Sequence, residues 1–520
     1  MLSSAPVIVF HAQPHTFGSS FLLLLGATTF WPSPVRAQPS DPAIEHLQGE
    51  LREILRAPEL DQAFAGVSIV SLKDGRTLFA HNDAKLFNPA SNQKLLTTGA
   101  ALWYLGPNYR FRTEMRRDPV VKNGILEGNL YVKGYGDPTL TSEELFGLVN
   151  DVAQRGFKTV KGDLIVDASF FDDNVEGPGW DQEDSDQAYA APIGPLSANF
   201  GTFSIRMLPG ERVGDPVQVL VWPPVTNIEI TSSATTLGSG TLARAWVGTS
   251  RLPGDRIRVT IRGALSIDDA EGQVVRRPVA NPSQYTGELI KEMLVMRGVD
   301  VKGKVKLAPM PKKNTIHVAT HFSRPLSEIV STLNKFSNNV MAEQILKTLG
   351  AEVGNTQGSW ESGNKVIHDF LVEIGVPEGT FVLANGSGLN DTNRVTPSLL
   401  TKILQAMWER VELRPEFVSS LAVAGSSGTI GGRFENSPAV LRLRAKTGSL
   451  IGVSALSGYV NTQDDDTVVF SVMMNDYPGR ARAMWRIQDR IGIALARYRG
   501  PDTVAAKARS EASLDGQKTQ

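Results

Sequence analysis

The chain contains no cysteine, few histidines and almost no net charge. Without cysteine it can form no disulfide bond and no thiolate metal site, so covalent catalysis would need a different nucleophile. Lys and Arg number 53 against 54 Asp and Glu, so no strong positive field would attract nucleic acid, and none is expected as a partner. The sequence has neither a His-Glu-x-x-His nor a Gly-x-Ser-x-Gly motif, which disfavours a zinc peptidase and a Ser-His-Asp hydrolase.

Long apolar runs are also missing. The run Phe21–Phe30 has about ten residues, whereas a membrane-spanning helix needs roughly 20. It is followed by Val35 and Ala37, small residues of the kind that signal peptidase accepts, although no Lys or Arg precedes it. We therefore predict a signal peptide at residues 1–37 and a periplasmic protein, since a large domain in that compartment does not require disulfides.

Composition and length are those of an ordinary globular protein. Hydrophobic residues make up 41% and charged residues 21% of the chain, which excludes a wholly disordered or polytopic membrane protein. At roughly 100 to 200 residues per domain, the length of 520 residues predicts two to four domains. The polar tail 501–520 is predicted to be disordered. The acidic stretch 181–186 lacks the glycine of a calcium loop, so we expect a solvated loop and no metal site.

Hydrophobic periodicity near the two ends of the chain predicts one α/β unit. Its first part has an amphipathic helix within 38–60, a hairpin at 66–81 that turns at Asp-Gly, and a helix at 91–105. Its second part begins near residue 316 with helical patterns. Two apolar strands within 452–474 and a final helix complete it.

Between about residues 108 and 315 the sequence changes to short strand patterns separated by Gly, Pro, Asp and Asn. The run 124–133 reads as one strand. The run 256–262 alternates apolar and polar residues, as a half-buried antiparallel strand does. One helix, at 282–297, interrupts the series. The α/β unit is therefore predicted to be split by a β-rich insertion of roughly 200 residues.

Ser91 and Lys94 form a Ser-x-x-Lys motif at the start of a predicted helix. Residues three apart lie on one helix face, so the lysine amine can reach the serine hydroxyl. A neutral amine could remove the hydroxyl proton if burial lowers its pKa from about 10.4. In isolation the motif says little, because a surface serine followed by a solvated lysine is the commoner arrangement.

Two further motifs follow later in the chain. Ser337-x-Asn339 lies between two predicted helices, where the hydroxyl could relay a proton and the amide could bind a substrate amide, although such residues also cap helices. Lys446, Thr447 and Gly448 lie beside a predicted strand. There the lysine and threonine could hold a carboxylate, and the glycine would permit close approach of the backbone.

Together and in this order, Ser-x-x-Lys, Ser-x-Asn and Lys-Thr-Gly are the motifs of the penicillin-recognising serine enzymes. The interval from Ser91 to Ser337 is far longer than in most of them. A large insertion at this place resembles the D-alanyl-D-alanine carboxypeptidase/endopeptidase family, the low-molecular-mass class C penicillin-binding proteins. The stretches YAAP at 189–192 and NGSGL at 385–389 add to the resemblance, which covers about residues 45–495.

The resemblance implies a fold. We expect an α/β penicillin-binding/β-lactamase-like transpeptidase domain, an antiparallel sheet flanked by helices, interrupted by a large β-rich insertion that forms two further domains. The implied segments are the catalytic domain at 38–107 and 316–500, domain II at 108–199 and 281–315, and the nested domain III at 200–280.

The resemblance also implies the site and its partners. The implied catalytic residues are Ser91 as nucleophile, Lys94 as base, Ser337 as proton relay to the leaving amine, and Ser449, whose backbone N–H would share the oxyanion with that of Ser91. The implied substrate-binding residues are Asn339 for the substrate amide and Lys446, Thr447 and Gly448 for the terminal carboxylate. The implied partners are peptidoglycan stem peptides and β-lactams, and no cofactor is required.

Some features depart from the family pattern, and alternatives stay open. Asn385 stands where the family often has Asp, and 390–392 lacks the usual Ser-Arg pair before Asn393, which leaves substrate preference open. A β-lactamase-like hydrolase would use the same motifs and differ in its deacylation rate. A catalytically idle wall-binding scaffold is the second alternative, which the intact motifs disfavour. The balance of carboxypeptidase and endopeptidase action and homo-oligomerisation also stay open.

Overall fold

The computed structural model describes residues 41–180, 186–224 and 227–500. The predicted signal peptide, the predicted disordered tail and most of the acidic stretch 181–186 lie outside the described residues. In the ranges that are described, no helix is long and apolar enough to cross a membrane.

Helices and short strands alternate along the described ranges. The α-helices are α1 (Pro42–Ile54), α2 (Gln93–Leu105), α3 (Ser142–Ala153), α4 (Pro282–Met296), α5 (Leu326–Phe336), α6 (Asn339–Glu352), α7 (Trp360–Glu373), α8 (Pro397–Glu409), α9 (Arg414–Ser420) and α10 (Ala481–Arg497). The strands are β1 (Phe64–Ser71), β2 (Thr77–His81), β3 (Arg112–Arg117), β4 (Val121–Lys122), β5 (Ile125–Leu126), β6 (Leu130–Gly134), β7 (Thr159–Val160), β8 (Leu164–Asp167), β9 (Thr202–Leu208), β10 (Gln218–Trp222), β11 (Ile228–Ser232), β12 (Thr235–Leu237), β13 (Ala245–Leu252), β14 (Arg256–Ser266), β15 (Gln273–Pro278), β16 (Asp300–Val301), β17 (Val305–Leu307), β18 (Ile316–Phe322), β19 (Ala422–Val423), β20 (Leu443–Leu450), β21 (Val453–Asn461) and β22 (Thr467–Asn475).

A six-stranded antiparallel sheet, in the order β19-β20-β21-β22-β1-β2, forms the centre of the α/β unit. Successive side chains of a strand point to opposite faces, so each face needs its own cover. On β22, Phe470 and Val472 pack in a cluster with α1 and α10, whereas Val469 and Met473 pack in a cluster with α2 and α8. The predicted antiparallel sheet flanked by helices is confirmed.

The two halves of the α/β unit share this sheet. Strand β1 pairs with β22 along its whole length, from Phe64 opposite Asn475 to Ser71 opposite Val468. The first hairpin of the unit is therefore completed by a strand that follows the insertion.

The insertion has two further hydrophobic clusters. A five-stranded sheet, β17-β8-β6-β3-β18, packs with α3 and α4 around residues such as Val132 and Ile290. Strands between β9 and β15 enclose a smaller cluster that includes Ile205 and Val259. Strand β18 lies beyond the predicted boundary at residue 315 and pairs with β3. The division of the insertion into domains II and III stays a prediction.

Three details of the insertion differ from the sequence prediction. Helix α3 was missed, although Thr141 and Glu144 form a capping box at its start. The predicted strand 124–133 divides into β5 and β6, because residues 127–129 leave the strand conformation. Strand β14 buries alternate residues as predicted, but it pairs antiparallel only with β13 and parallel with β11 and β12.

The central sheet allows a test of its core. Phe470 is fully buried on β22, whereas Phe336 at the end of α5 is 74% exposed. We expect Phe470→Ala to lower the free energy of unfolding by about 3–5 kcal/mol, through lost burial and an unfilled cavity. Phe336→Ala should change it by less than about 1 kcal/mol. Urea unfolding followed by circular dichroism measures both, and equal effects would contradict this assignment of the core.

Candidate active site

Ser91 lies in a short 3-10 turn, Ala90–Asn92, that leads directly into α2. The segment before it is tied to the end of β22, since Asn88 N–H donates to Asn475 Oδ1 (2.7 Å) and Asn475 Nδ2 donates to the Asn88 carbonyl (3.2 Å). Asn88 Oδ1 in turn accepts from Ala90 N–H at 2.8 Å. These contacts hold Ser91 at one end of the central sheet.

Lys94, in the first turn of α2, is completely buried next to Ser91. Its Nζ lies 2.9 Å from Ser91 Oγ, 2.7 Å from Asn339 Oδ1 and 2.6 Å from the Ser387 carbonyl oxygen. Burial lowers the pKa of Lys94 to about 7, and the nearby charge of Glu343 opposes this shift. At neutral pH a substantial fraction of this amine is therefore unprotonated and able to accept a proton.

The Ser-x-Asn motif occupies the junction between α5 and α6. Ser337 ends α5 in the left-handed conformation, with φ of 59°, and Asn338 caps α6 by accepting from Met341 N–H at 3.0 Å. This reversal of the chain turns Ser337 towards β20 and Asn339 towards α2. Asn339 Nδ2 also donates to the Tyr189 carbonyl of the insertion at 3.1 Å.

Strand β20 carries the Lys-Thr-Gly motif. Beyond Ala445 the strand has no partner on the β19 side, so this part of it is a free edge in the described structure. Lys446 is completely buried, and its Nζ donates to Ser337 Oγ and to the Thr447 carbonyl, both at 2.8 Å. Burial holds the pKa of Lys446 well below its ordinary value, and the charge of Lys94 adds to this shift.

Gly448 is where β20 approaches Ser91. A Cβ atom at this position would lie 2.7 Å from the Pro89 carbonyl oxygen and 3.1 Å from Ser91 N. Any larger residue would push the strand away from the Ser91 turn. The close contact places the next residue, Ser449, on the cleft beside Ser91.

The predicted residues lie in and around an open cleft of about 650 Å³. Four of them, Ser91, Ser337, Asn339 and Ser449, line it. Lys94 and Lys446 lie buried beneath these residues, bonded to Ser91 and Ser337 respectively. Thr447 and Gly448 lie next to the cleft on β20, and Thr447 Oγ1 donates to Thr429 Oγ1 at 2.8 Å. The structure thus brings all eight predicted residues together.

Some residues at the cleft were missed by sequence reasoning. Tyr189 reaches it from the insertion, and Leu450 and Ile451 border it where β20 ends. Tyr189 belongs to the YAAP stretch, which was a signal for the family but not for a position at the site. Leu450 and Ile451 directly follow the third motif, and only that proximity could have indicated them.

The turn at 385–389 contacts the site through the Ser387 carbonyl, which accepts from Lys94. Asn385 is fully buried; its Oδ1 accepts from Gly388 N–H (2.8 Å) and Asn393 Nδ2 (2.9 Å), and its Nδ2 donates to the Leu389 carbonyl (3.0 Å). The asparagine that departs from the family pattern therefore shapes the turn that presents the Ser387 carbonyl to Lys94.

Comparison with known proteins agrees with this arrangement. Residues 47–495 match the D-Ala-D-Ala carboxypeptidase 3 (S13) family. A D-alanyl-D-alanine carboxypeptidase from Actinomadura sp. is 33% identical over 92% of this chain and 89% of its own length. D-alanyl-D-alanine carboxypeptidase DacB from Haemophilus influenzae is 27% identical over 78% of this chain and 84% of its own length.

The fold has a counterpart among solved structures. Penicillin binding protein 4 from Haemophilus influenzae superposes with a TM-score of 0.75 and 25% identity, over 88% of this chain and 99% of that one. The penicillin-binding fold predicted from the motifs is confirmed. With the family match spanning nearly the whole described chain and the three motifs meeting at one cleft, this protein belongs to the D-Ala-D-Ala carboxypeptidase 3 (S13) family of serine peptidases.

Proposed function

We propose that this protein is a serine-type D-alanyl-D-alanine carboxypeptidase/endopeptidase, which acts on peptidoglycan stem peptides and cross-links through an acyl-serine intermediate and is acylated by penicillins. The observation that carries the proposal is the contact between Lys94 Nζ and Ser91 Oγ, at 2.9 Å, in a buried site where the pKa of the lysine is about 7. Membership of the S13 family and relatives named as D-alanyl-D-alanine carboxypeptidases support the substrate class.

Acylation begins at the hydrogen-bonded pair of Ser91 and Lys94. Neutral Lys94 takes the proton of Ser91 as Oγ attacks the carbonyl carbon between the two D-alanines. The backbone N–H groups of Ser91 and Ser449 stabilise the oxyanion, because donors fixed in advance need no reorganisation as charge develops. The C–N bond then breaks, and the proton that Lys94 took up reaches the leaving amine through the hydroxyl of Ser337, which is hydrogen-bonded to Lys446.

The other residues in and around the cleft bind the substrate. Asn339 holds the amide side chain of the substrate. Its Oδ1 accepts from Lys94 and one hydrogen of its Nδ2 is donated to the Tyr189 carbonyl, so the second Nδ2 hydrogen is the one that it donates to the substrate. The hydroxyl of Thr447 and the amine of Lys446 recognise the terminal carboxylate, whose negative charge favours the protonated form of this lysine, and Gly448 keeps the strand edge close enough for this contact.

Water hydrolyses the acyl-enzyme and returns Ser91 to its starting state. A β-lactam presents the same carbonyl and carboxylate, but its leaving amine stays tethered to the acyl group, so the adduct persists. We further propose export to the periplasm, where this substrate occurs; the predicted signal peptide supports this location. Homo-oligomerisation stays a prediction.

Covalent labelling tests the proposal directly. We expect the protein without residues 1–37 to gain the mass of one penicillin, because Ser91 is the acylated nucleophile. Intact-mass spectrometry and gel fluorescence with a fluorescent penicillin measure the adduct, and Ser91→Ala is the control that should stay unlabelled. Penicillin consumed without a lasting adduct would favour a β-lactamase, and neither adduct nor consumption would favour an idle scaffold.

Lys94 offers a test of the base. We expect Lys94→Ala to slow acylation by about 10²–10⁴-fold, since it removes the proton acceptor while the fold is retained. In the wild type the acylation rate should rise with pH through about 7 and level off above it, because only the unprotonated amine is active. Stopped-flow acylation across pH 5–9 measures both effects. A Lys94→Ala variant that acylates at the wild-type rate would exclude this lysine as the base.

Carboxylate recognition is tested by comparing two substrates. We expect Lys446→Ala to reduce kcat/KM more for a peptide ending in free D-Ala-D-Ala than for its C-terminal amide, because only the first carries the charge that the lysine attracts. Release of the terminal residue, measured for both peptides and both proteins, gives the ratio. An equal loss for the two peptides would remove Lys446 from carboxylate binding.

A further inference from the structure

Glu343 is a fully buried carboxylate on α6, one helical turn after Asn339 and therefore on the same face of the helix. No lysine or arginine lies within ion-pair distance of it in the described ranges. Instead, its carboxylate accepts three hydrogen bonds, from Ser387 N–H at 2.8 Å, Gly386 N–H at 2.9 Å and Trp360 Nε1 at 2.9 Å. A buried carboxylate without an ion pair is tolerated only when donors satisfy it in this way.

The two backbone donors belong to the turn that contacts α2. Ser387 donates its N–H to Glu343 and offers its carbonyl to Lys94 Nζ at 2.6 Å. Gly386 likewise donates its N–H to Glu343 and accepts at its carbonyl from Thr97 Oγ1 at 2.7 Å. The 386–387 turn is therefore clamped between α6 and α2, with the Glu343 carboxylate on one side and Lys94 on the other.

The orientation of Glu343 is itself supported from the insertion. The Trp360 ring that donates to Glu343 carries Lys347 Nζ over its face, 3.7 Å from the ring centroid. Lys347 is buried and donates to Asp172 Oδ1 at 2.6 Å. An ion pair reaching α6 from the insertion thus packs against the indole that holds the carboxylate.

Charges around Lys94 come from two elements. Glu343 faces it from α6, and Lys446 faces it from β20, whereas the 385–389 turn presents a carbonyl and no charged group. Burial is the main cause that lowers the pKa of Lys94, and the negative charge of Glu343 is what raises it again. Loss of that charge would therefore lower the pKa of Lys94 further.

We propose that Glu343 is a positioning residue for acylation: it clamps the 386–387 turn so that the Ser387 carbonyl directs the Lys94 amine at Ser91. Its negative charge also raises the pH at which that amine loses its proton, against the larger effect of burial. The inference rests on the proposed role of Lys94 as base. Glu343 touches no reacting atom, so it acts through the turn and through its field.

The test compares Glu343→Gln with Glu373→Gln. Glu373, on α7, also accepts hydrogen bonds from an indole N–H and a hydroxyl, those of Trp103 and Tyr104, but on the surface. Glutamine has the size of glutamate, yet its NH₂ group must face at least one N–H donor. We expect Glu343→Gln to lower the plateau rate of penicillin acylation about 10- to 100-fold, since small misplacements of a reacting group have effects of this size.

The pH profile separates positioning from mere structural support. In Glu343→Gln the rise of the acylation rate should move to lower pH by roughly one unit, because an uncompensated buried ammonium loses its proton more readily. Aspartate keeps the charge but is shorter. In Glu343→Asp the acylation rate should therefore rise at nearly the same pH as in the wild type, while the plateau rate falls. Glu373→Gln should change neither. The proposal would be overturned if the acylation rate of Glu343→Gln rose at the same pH as that of the wild type, or if Glu343→Asp reached the wild-type plateau rate.

Hydrogen exchange provides a readout that does not depend on activity. We expect the peptide that spans 384–389 to contain an amide hydrogen that exchanges at least about tenfold faster in Glu343→Gln than in the wild type, because either Ser387 N–H or Gly386 N–H loses its acceptor. If wild-type protein is not acylated, the proposed function fails while this arm still tests the clamp. An unchanged exchange rate in folded Glu343→Gln would overturn the proposed clamp. If that variant does not fold, the same measurement on Glu343→Asp tests the clamp instead.

Discussion

The site depends on the removal of one lysine amine from water. Lys94 has no exposed surface, and three oxygen atoms from three different segments surround its Nζ. An ammonium group in such a place is disfavoured by desolvation, so the amine approaches neutrality at a pH where a surface lysine is fully charged. The helix, the turn and the Ser-x-Asn junction are each arranged so that one of their oxygens contacts this nitrogen.

The same requirement explains the geometry of the surrounding elements. Ser337 adopts a left-handed conformation because the chain must reverse between two helices within a few residues and still aim Asn339 at Lys94. Gly448 lacks a side chain where β20 passes the Ser91 turn. Lys446, a second buried lysine, has its pKa lowered by burial, and the charge of Lys94 lowers it further.

Sequence motifs predicted which residues meet at the cleft better than hydrophobic patterns predicted the elements around it. The three motifs are short and weak individually, but their joint occurrence resembles one enzyme family, so Ser91, Lys94, Ser337, Asn339 and Lys446 could be predicted to share one site. Even the capping tendency of the second motif is realised, by Asn338. Glu343 and Tyr189 could not be found in this way, because their contacts join segments that are far apart in the sequence. Helix α3 was missed for a different reason: its capping box and apolar spacing are present, but the neighbouring strand patterns suggested that this part of the insertion contains strands only.

The pairing of β1 with β22 has a consequence for how the chain reaches its folded state. Val67 lies opposite Val472, so two neighbouring strands of the central sheet are separated by about 400 residues of chain. Contacts of such long range form slowly, since the entropy of closing the loop is lost before the contact is gained. An apolar strand made early must therefore wait for one made near the end, with its edge unpaired and open to aggregation. Folding of this enzyme therefore cannot follow synthesis strictly from the first residue onward, because β1 lacks its β22 neighbour until nearly the whole chain has been made.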